Sequence, residues 1–198
     1  MGITWDGILE KTIAGIIGGL IATALLKLIE LFRRPQLDIV FEKSDTYTVA
    51  RLDNVPQKPE GLFIHLNIKN KRKSTAYGCK VFLLSIEEEI DGVFSPIALP
   101  VHHPLKWANE NEPKGYDGLE IPGNYRRRVD FIHSIKGNNI FLLFIEGGSR
   151  GIRNGFGNGK YRFALQTSGT NTNTVTKKFI VEWSGTFDKD NIQVREDK

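Results

Sequence analysis

Cysteine is almost absent: the 198 residues hold one, Cys79. A single thiol excludes an intrachain disulfide, so the fold must rest on its core, and such usage fits a reducing compartment. Histidine is scarce too, at four residues, and no CxxC or HExxH spacing joins His65, His102, His103 or His133 to Cys79. That argues against the common zinc frameworks. No GxSxG elbow occurs, and Asp130, His133 and Ser134 are too close along the chain to align as a hydrolase triad. There is no Asn-x-Ser/Thr sequon. A dense basic stripe interleaved with aromatics is also missing, and the net charge is only +4. Nucleic acid is therefore a poor candidate partner, whereas a mild positive bias suits the neighbourhood of an anionic membrane. No enzymatic activity, metal or cofactor is expected.

What the chain does have is an apolar start. Thr12 to Leu26 carries no charge, and apolar positions continue through Leu28, Ile29, Leu31 and Phe32. Thr12 to Phe32 spans roughly 31 Å as a helix, the thickness of a bilayer core. Lys27 can snorkel or pair with Glu30, Trp5 suits an interface, and Pro35 stops the helix. A cleaved leader is the rival, but it needs a basic beginning, and Asp6, Glu10 and Lys11 precede this run. Lys27, Arg33 and Arg34 outweigh Lys11 on the other flank. The bias predicts a single-pass inner-membrane protein with its C-terminal part in the cytosol. The expected division is 1–35 for the transmembrane helix and flanks, and 36–198 for the cytosolic domain. Ala14, Gly15, Gly18, Gly19 and Ala22 share one narrow helical face, a spacing that favours self-association in lipid and hence a homo-oligomer.

Beyond residue 36 the period becomes two. Strands are expected at 37–42, 62–69, 81–86, 93–98, 128–132, 140–145, 161–166 and 178–183. Val81 and Leu83 are expected to face one way, with Phe82, Leu84 and Ile86 facing the other. Turns are expected at Asp91-Gly92, Pro122-Gly123, Gly137-Asn138, Asn158-Gly159 and Ser168-Gly169. His102-His103 is expected in a loop, and Glu87-Glu88-Glu89 on a solvated face or turn. The pattern predicts a mainly β protein: an antiparallel immunoglobulin-like β-sandwich, with a small β-barrel as the alternative. Asn70 is positioned to bond turn backbone groups. Cys79, Trp107 and Trp183 are expected to be packing residues.

Leu62–Asn70 followed by Ser74–Leu83, with its strand ending in Asn and an Ala-x-x-Cys opening the next, resembles uncharacterised prokaryotic membrane-anchored immunoglobulin-like sandwich proteins. Leu105-Lys106-Trp107, Leu119–Gly123, Val129-Asp130, Gly159-Lys160-Tyr161 and Phe179–Gly185 are similar to later landmarks of that group. The resemblance implies a fold rather than an activity.

The glycine-rich stretch from Gly147 to Lys160 is the most unusual loop. It is no P-loop: position 154 is Asn where a glycine is needed, Tyr161 replaces Ser or Thr, and a strand follows instead of a helix. Arg150, Arg153 and Lys160 are its candidate partner-binding or anion-binding residues. Basic clusters stand at Lys69/Lys71-Arg72-Lys73, Arg126-Arg127-Arg128 and Lys177-Lys178. The reading that fits is a membrane-anchored interaction or sensor module whose partners are lipid and a cytosolic protein. The alternative is an oligomerising membrane-perturbing effector of antiphage type, triggered through the β domain.

Overall fold

The computed structural model describes residues 5–43, 47–50, 61–97, 102–108, 110, 114–146, 155–187 and 191–197; within the first helix, side chains are described at 16, 19–30, 32 and 33, and those of 47–50 are outside the description. The chain divides into two compact units, 1–34 and 35–198.

The first unit is a helix, α1 (Trp5–Arg33). It stops just before Pro35, whose ring disfavours helical backbone at the preceding residue. Its described large apolar side chains are exposed, among them Ile16, Leu20, Ile21, Leu25, Leu26, Leu28, Ile29 and Phe32. At about 100° per residue these positions surround the whole helix rather than forming one stripe. Among the described residues no helix is long and apolar enough to cross a membrane. The continuous described run, 19–30, is about 18 Å long at about 1.5 Å per residue.

The second unit is mainly antiparallel β. Its strands are β1 (Leu37–Val40), β2 (Tyr47–Ala50), β3 (Gly61–Asn70), β4 (Ala76–Ile90), β5 (Val93–Ile97), β6 (His103–Pro104), β7 (Leu119–Ile121), β8 (Arg126–Ile135), β9 (Phe141–Leu143), β10 (Gly159–Ser168), β11 (Val175–Trp183) and β12 (Ile192–Asp197). One sheet runs β1-β3-β8-β9, with β2 also on β3. The other runs β12-β11-β10-β4-β5, with β6 and β7 also on β4. Alternating apolar residues from both sheets meet in one core, which includes Ile39, Ile64, Leu66, Val81, Phe131, Phe163, Phe179 and Val181. An aromatic group lies within it. Phe131 meets Phe163 edge-on with centroids 5.3 Å apart, and Phe141 stacks on Phe156 at 5.0 Å. Trp107 and Trp183 are buried, and the Trp107 indole donates to the Asp117 carbonyl at 3.0 Å. Cys79 is a buried packing residue.

Three local expectations are revised. Ile86 joins Val81 and Leu83 in the core instead of facing with Phe82 and Leu84. The reason is a bulge: Leu165 pairs with Leu83 but Ala164 with Ser85, so Leu84 is an extra residue that flips the alternation. Glu87, Glu88 and Glu89 lie within β4 rather than in a turn. There Glu87 pairs with Arg162, and Glu89 with Lys160. His103 is not in a loop: with Pro104 it forms a two-residue strand against Phe82 and Leu83. The Asp91-Gly92 turn does close a hairpin, with both φ angles positive at 51° and 81° and Ile90 opposite Val93.

Candidate functional site

The pairing of β3 with β8 brings two basic clusters together that are far apart in sequence. Lys69 stands opposite Arg126, Ile68 opposite Arg127 and Asn67 opposite Arg128. The turn after β3 carries Lys71, Arg72 and Lys73, and the turn before β8 carries Asn124 and Tyr125. Their backbones are tied directly. The Asn124 N–H donates to the Arg72 carbonyl at 2.9 Å, and the Asn70 N–H to the Tyr125 carbonyl at 2.9 Å. Asn70 is 1% exposed, and its side chain completes the tie. Its Nδ2 donates to the Ser74 carbonyl at 2.7 Å and the Ile121 carbonyl at 3.1 Å, while its Oδ1 accepts from the Arg72 N–H at 3.2 Å. Gly123 is required by the same approach: a Cβ there would lie 1.9 Å from the Lys73 carbonyl oxygen.

The result is a cleft of about 410 Å³ lined by Lys69, Asn70, Lys71, Asn124, Tyr125 and Arg126. Two acids partly balance it. Glu42 pairs with Lys69 and with Arg126, and Asp38 lies 2.6 Å from Lys71. Arg72, Lys73, Arg127 and Arg128 are exposed. The cations that line the cleft are thus held by acids, and it is the exposed ones around it, fixed on knitted backbone, that can concentrate anions at their surface. The chain also enters the β unit here, since the Lys71 N–H donates to the carbonyl of Gln36 at 2.8 Å. Gln36 follows Pro35, the first residue of the second unit.

The third basic cluster is used internally. Lys177 lies 3.0 Å from Asp38 and 3.1 Å from Glu196, and Lys178 is 4.0 Å from Glu87. Burial lowers the Lys177 pKa, but hydrogen bonds and charge from Asp38 and Glu196 outweigh it and raise it overall. For Asp38, burial pulls upward and the two lysines pull further down, leaving its carboxyl below the ordinary aspartate value.

Of the glycine-rich loop candidates, Arg150 and Arg153 lie outside the described residues. Lys160 is the second residue of β10, where its Nζ is 2.9 Å from Glu89 and 5.6 Å from the Phe94 ring centre. On α1, Gly19 and Ala22 are exposed, and a Cβ at Gly19 would meet nothing within 4 Å. Ala14, Gly15 and Gly18 also fall on α1, but outside the residues whose side chains are described.

Asp130, His133 and Ser134 do not converge. The Ser134 hydroxyl donates to the Ile140 carbonyl at 2.9 Å. Asp130 instead meets His65 across the strands at 2.8 Å. His133 packs in a cluster with Phe144 and Phe63, with ring centroids at 4.4 and 6.1 Å, and the two phenylalanines are themselves 5.7 Å apart. Burial lowers its pKa below the ordinary histidine value, against an upward pull from Asp130. Among the described residues no group of three or more His, Cys, Asp or Glu could hold a metal ion.

Sequence inspection finds each basic cluster but not their union, because only the β3–β8 register makes them neighbours. The available signal was Asn70 at a strand end with cations on both sides.

No protein-family model matches the chain, and no curated protein matches it in sequence.

Proposed function

We propose that the chain is a membrane-anchored interaction module without chemistry of its own. In this reading Thr12 to Phe32 of α1 lies in the bilayer and the β unit works in the cytosol. The observation that carries it is the apolar surface around α1: Leu20 and Leu26 are 66% and 67% exposed. A helix apolar on every side needs an apolar surrounding, which a bilayer supplies. Its 29 residues run to about 43 Å at about 1.5 Å per residue, longer than the roughly 30 Å hydrocarbon core. Lys27, Arg33 and Arg34 support a cytosolic C-terminal side.

The β unit is read as an immunoglobulin-like sandwich that presents its turns to a cytosolic protein. Strand order supports this in part: β1-β3-β8 follows A-B-E and β11-β10-β4 follows G-F-C, while β9, beside β8, comes after it in the chain and so does not correspond to strand D. The test of placement is a pair of C-terminal fusions in a bacterial host. Green fluorescent protein is expected to fluoresce and alkaline phosphatase to stay inactive. An active phosphatase fusion rejects the cytosolic placement.

Helix self-association through Gly18 and Gly19 is a second element of the reading, supported by the open surface at Gly19 and the small-residue spacing. It leaves room for the effector reading, in which triggered assembly makes the membrane leak. A Gly18→Leu, Gly19→Leu variant is expected to lose association in a membrane two-hybrid assay, and undiminished association rejects this element. A membrane-potential dye separates effector from adaptor, because only the effector depolarises cells when its partner is present.

A further inference from the structure

We infer that the basic end built by the β3–β8 turns is a docking surface for anionic phospholipid headgroups. This inference rests on the anchored reading of α1 and adds a second contact with the same membrane. Three observations carry it.

The first is density. Lys71, Arg72 and Lys73 on one turn adjoin Arg126, Arg127 and Arg128 on the neighbouring strand; Arg126 and Arg128 project from one face of the sheet and Arg127 from the other, so the charge wraps around this end. Arg72, Lys73, Arg127 and Arg128 are exposed, so their charge faces outward.

The second is rigidity. Asn70 and the paired backbones of Arg72 and Asn124 fix both turns, so the cations need little further ordering on binding. Tyr125, 67% exposed, adds an amphipathic ring of the kind favoured at a lipid interface.

The third is connectivity. Lys71 is hydrogen-bonded to Gln36, and Gln36 is three residues beyond Arg33, the last residue of α1. Three residues span at most about 11 Å. If α1 leaves the bilayer at Arg33, the basic end is held within reach of the headgroups. Arg33 and Arg34 continue the same charge along the chain. A soluble acidic protein would match the charge but not this forced proximity, so the lipid surface is the occupant favoured here.

The test is a competition. Full-length protein in neutral detergent is released into an equal mixture of phosphatidylcholine vesicles and denser vesicles containing 30% phosphatidylglycerol. Each cation near an anionic surface contributes about fivefold to partition. Arg72→Gln, Lys73→Gln, Arg127→Gln should therefore reduce the preference for anionic vesicles by about 100-fold, while Arg72→Lys, Arg127→Lys retains it. Raising salt to about 0.5 M should also collapse the preference. A wild-type chain that distributes equally, or a glutamine variant that keeps the wild-type preference, overturns the inference and leaves the anchor standing. Recovery with anionic vesicles alone, and none when only neutral ones are offered, supports the headgroup site and overturns the anchor. Recovery with neither overturns both.

Discussion

Asp38 on β1 reaches across to Lys177 on β11, with Oδ1 and Nζ 3.0 Å apart, and so clasps an edge of one sheet to the other. Lys71 holds the second carboxylate oxygen at 2.6 Å. The carboxylate is mostly buried, so losing its charge takes away the anion that two lysine ammonium groups share. Asp38→Asn is expected to cost about 1–3 kcal/mol, measured by urea denaturation at pH 7. Because the folded-state pKa is lowered, this contribution is full above the unfolded aspartate value. It disappears as pH falls from about 4 through the lower folded value. A variant as stable as the wild type at pH 7 contradicts the clasp.

His133 gives an earlier acid step. Its folded pKa lies below the ordinary 6.5, so the unfolded chain takes up a proton first as pH falls. Stability should therefore decline from about pH 6.5 downward, above the range in which Asp38 titrates. His133→Phe keeps a ring against Phe144 and Phe63 and removes the titrating group. Its stability is expected to be flat between pH 7 and 5. Retention of the wild-type slope in that variant assigns the step elsewhere.

Asn70 bridges the two basic turns through three side-chain hydrogen bonds of 3.2 Å or less. Asn70→Ala leaves carbonyls of Ser74 and Ile121 without that donor in a buried place. A loss of about 2–3 kcal/mol is expected by chemical denaturation. Hydrogen exchange should quicken first at 70–74 and 121–125. Uniform quickening across the β unit would mean that Asn70 supports the whole core rather than this end.

Cys79 should be inert. Burial pushes its thiol pKa up to about 11, only partly offset by a backbone hydrogen bond from Ile121. Little thiolate then exists at neutral pH, and the sulfur is shielded. Disulfide-exchange reagents at pH 8 are expected to label it only after unfolding. Stoichiometric labelling of folded protein within minutes contradicts its placement in the core.

Much of the β architecture was legible because its period-two runs are long. Leu62, Ile64, Leu66 and Ile68 all point to the core as their spacing implies. What escaped notice is short or charged. In β12, Ile192 and Val194 are buried, but Gln193, Arg195, Glu196 and Asp197 mask the pattern; such charge is tolerated because β12 edges its sheet. β6 has two residues, one of them Pro104. Ile86 departs from the simple alternation because of a bulge, which leaves no local mark in composition. The basic end escaped for another reason: its clusters are distant in sequence, and only long-range pairing joins them.

An anchored role for this chain requires α1 to reside in the bilayer. Washing isolated membranes with alkaline carbonate strips proteins held by charge and leaves those held by hydrocarbon. The full-length chain is expected to stay in the membrane pellet and to float with lipid on a density gradient. Recovery in the supernatant, with the chain still folded and intact, contradicts it.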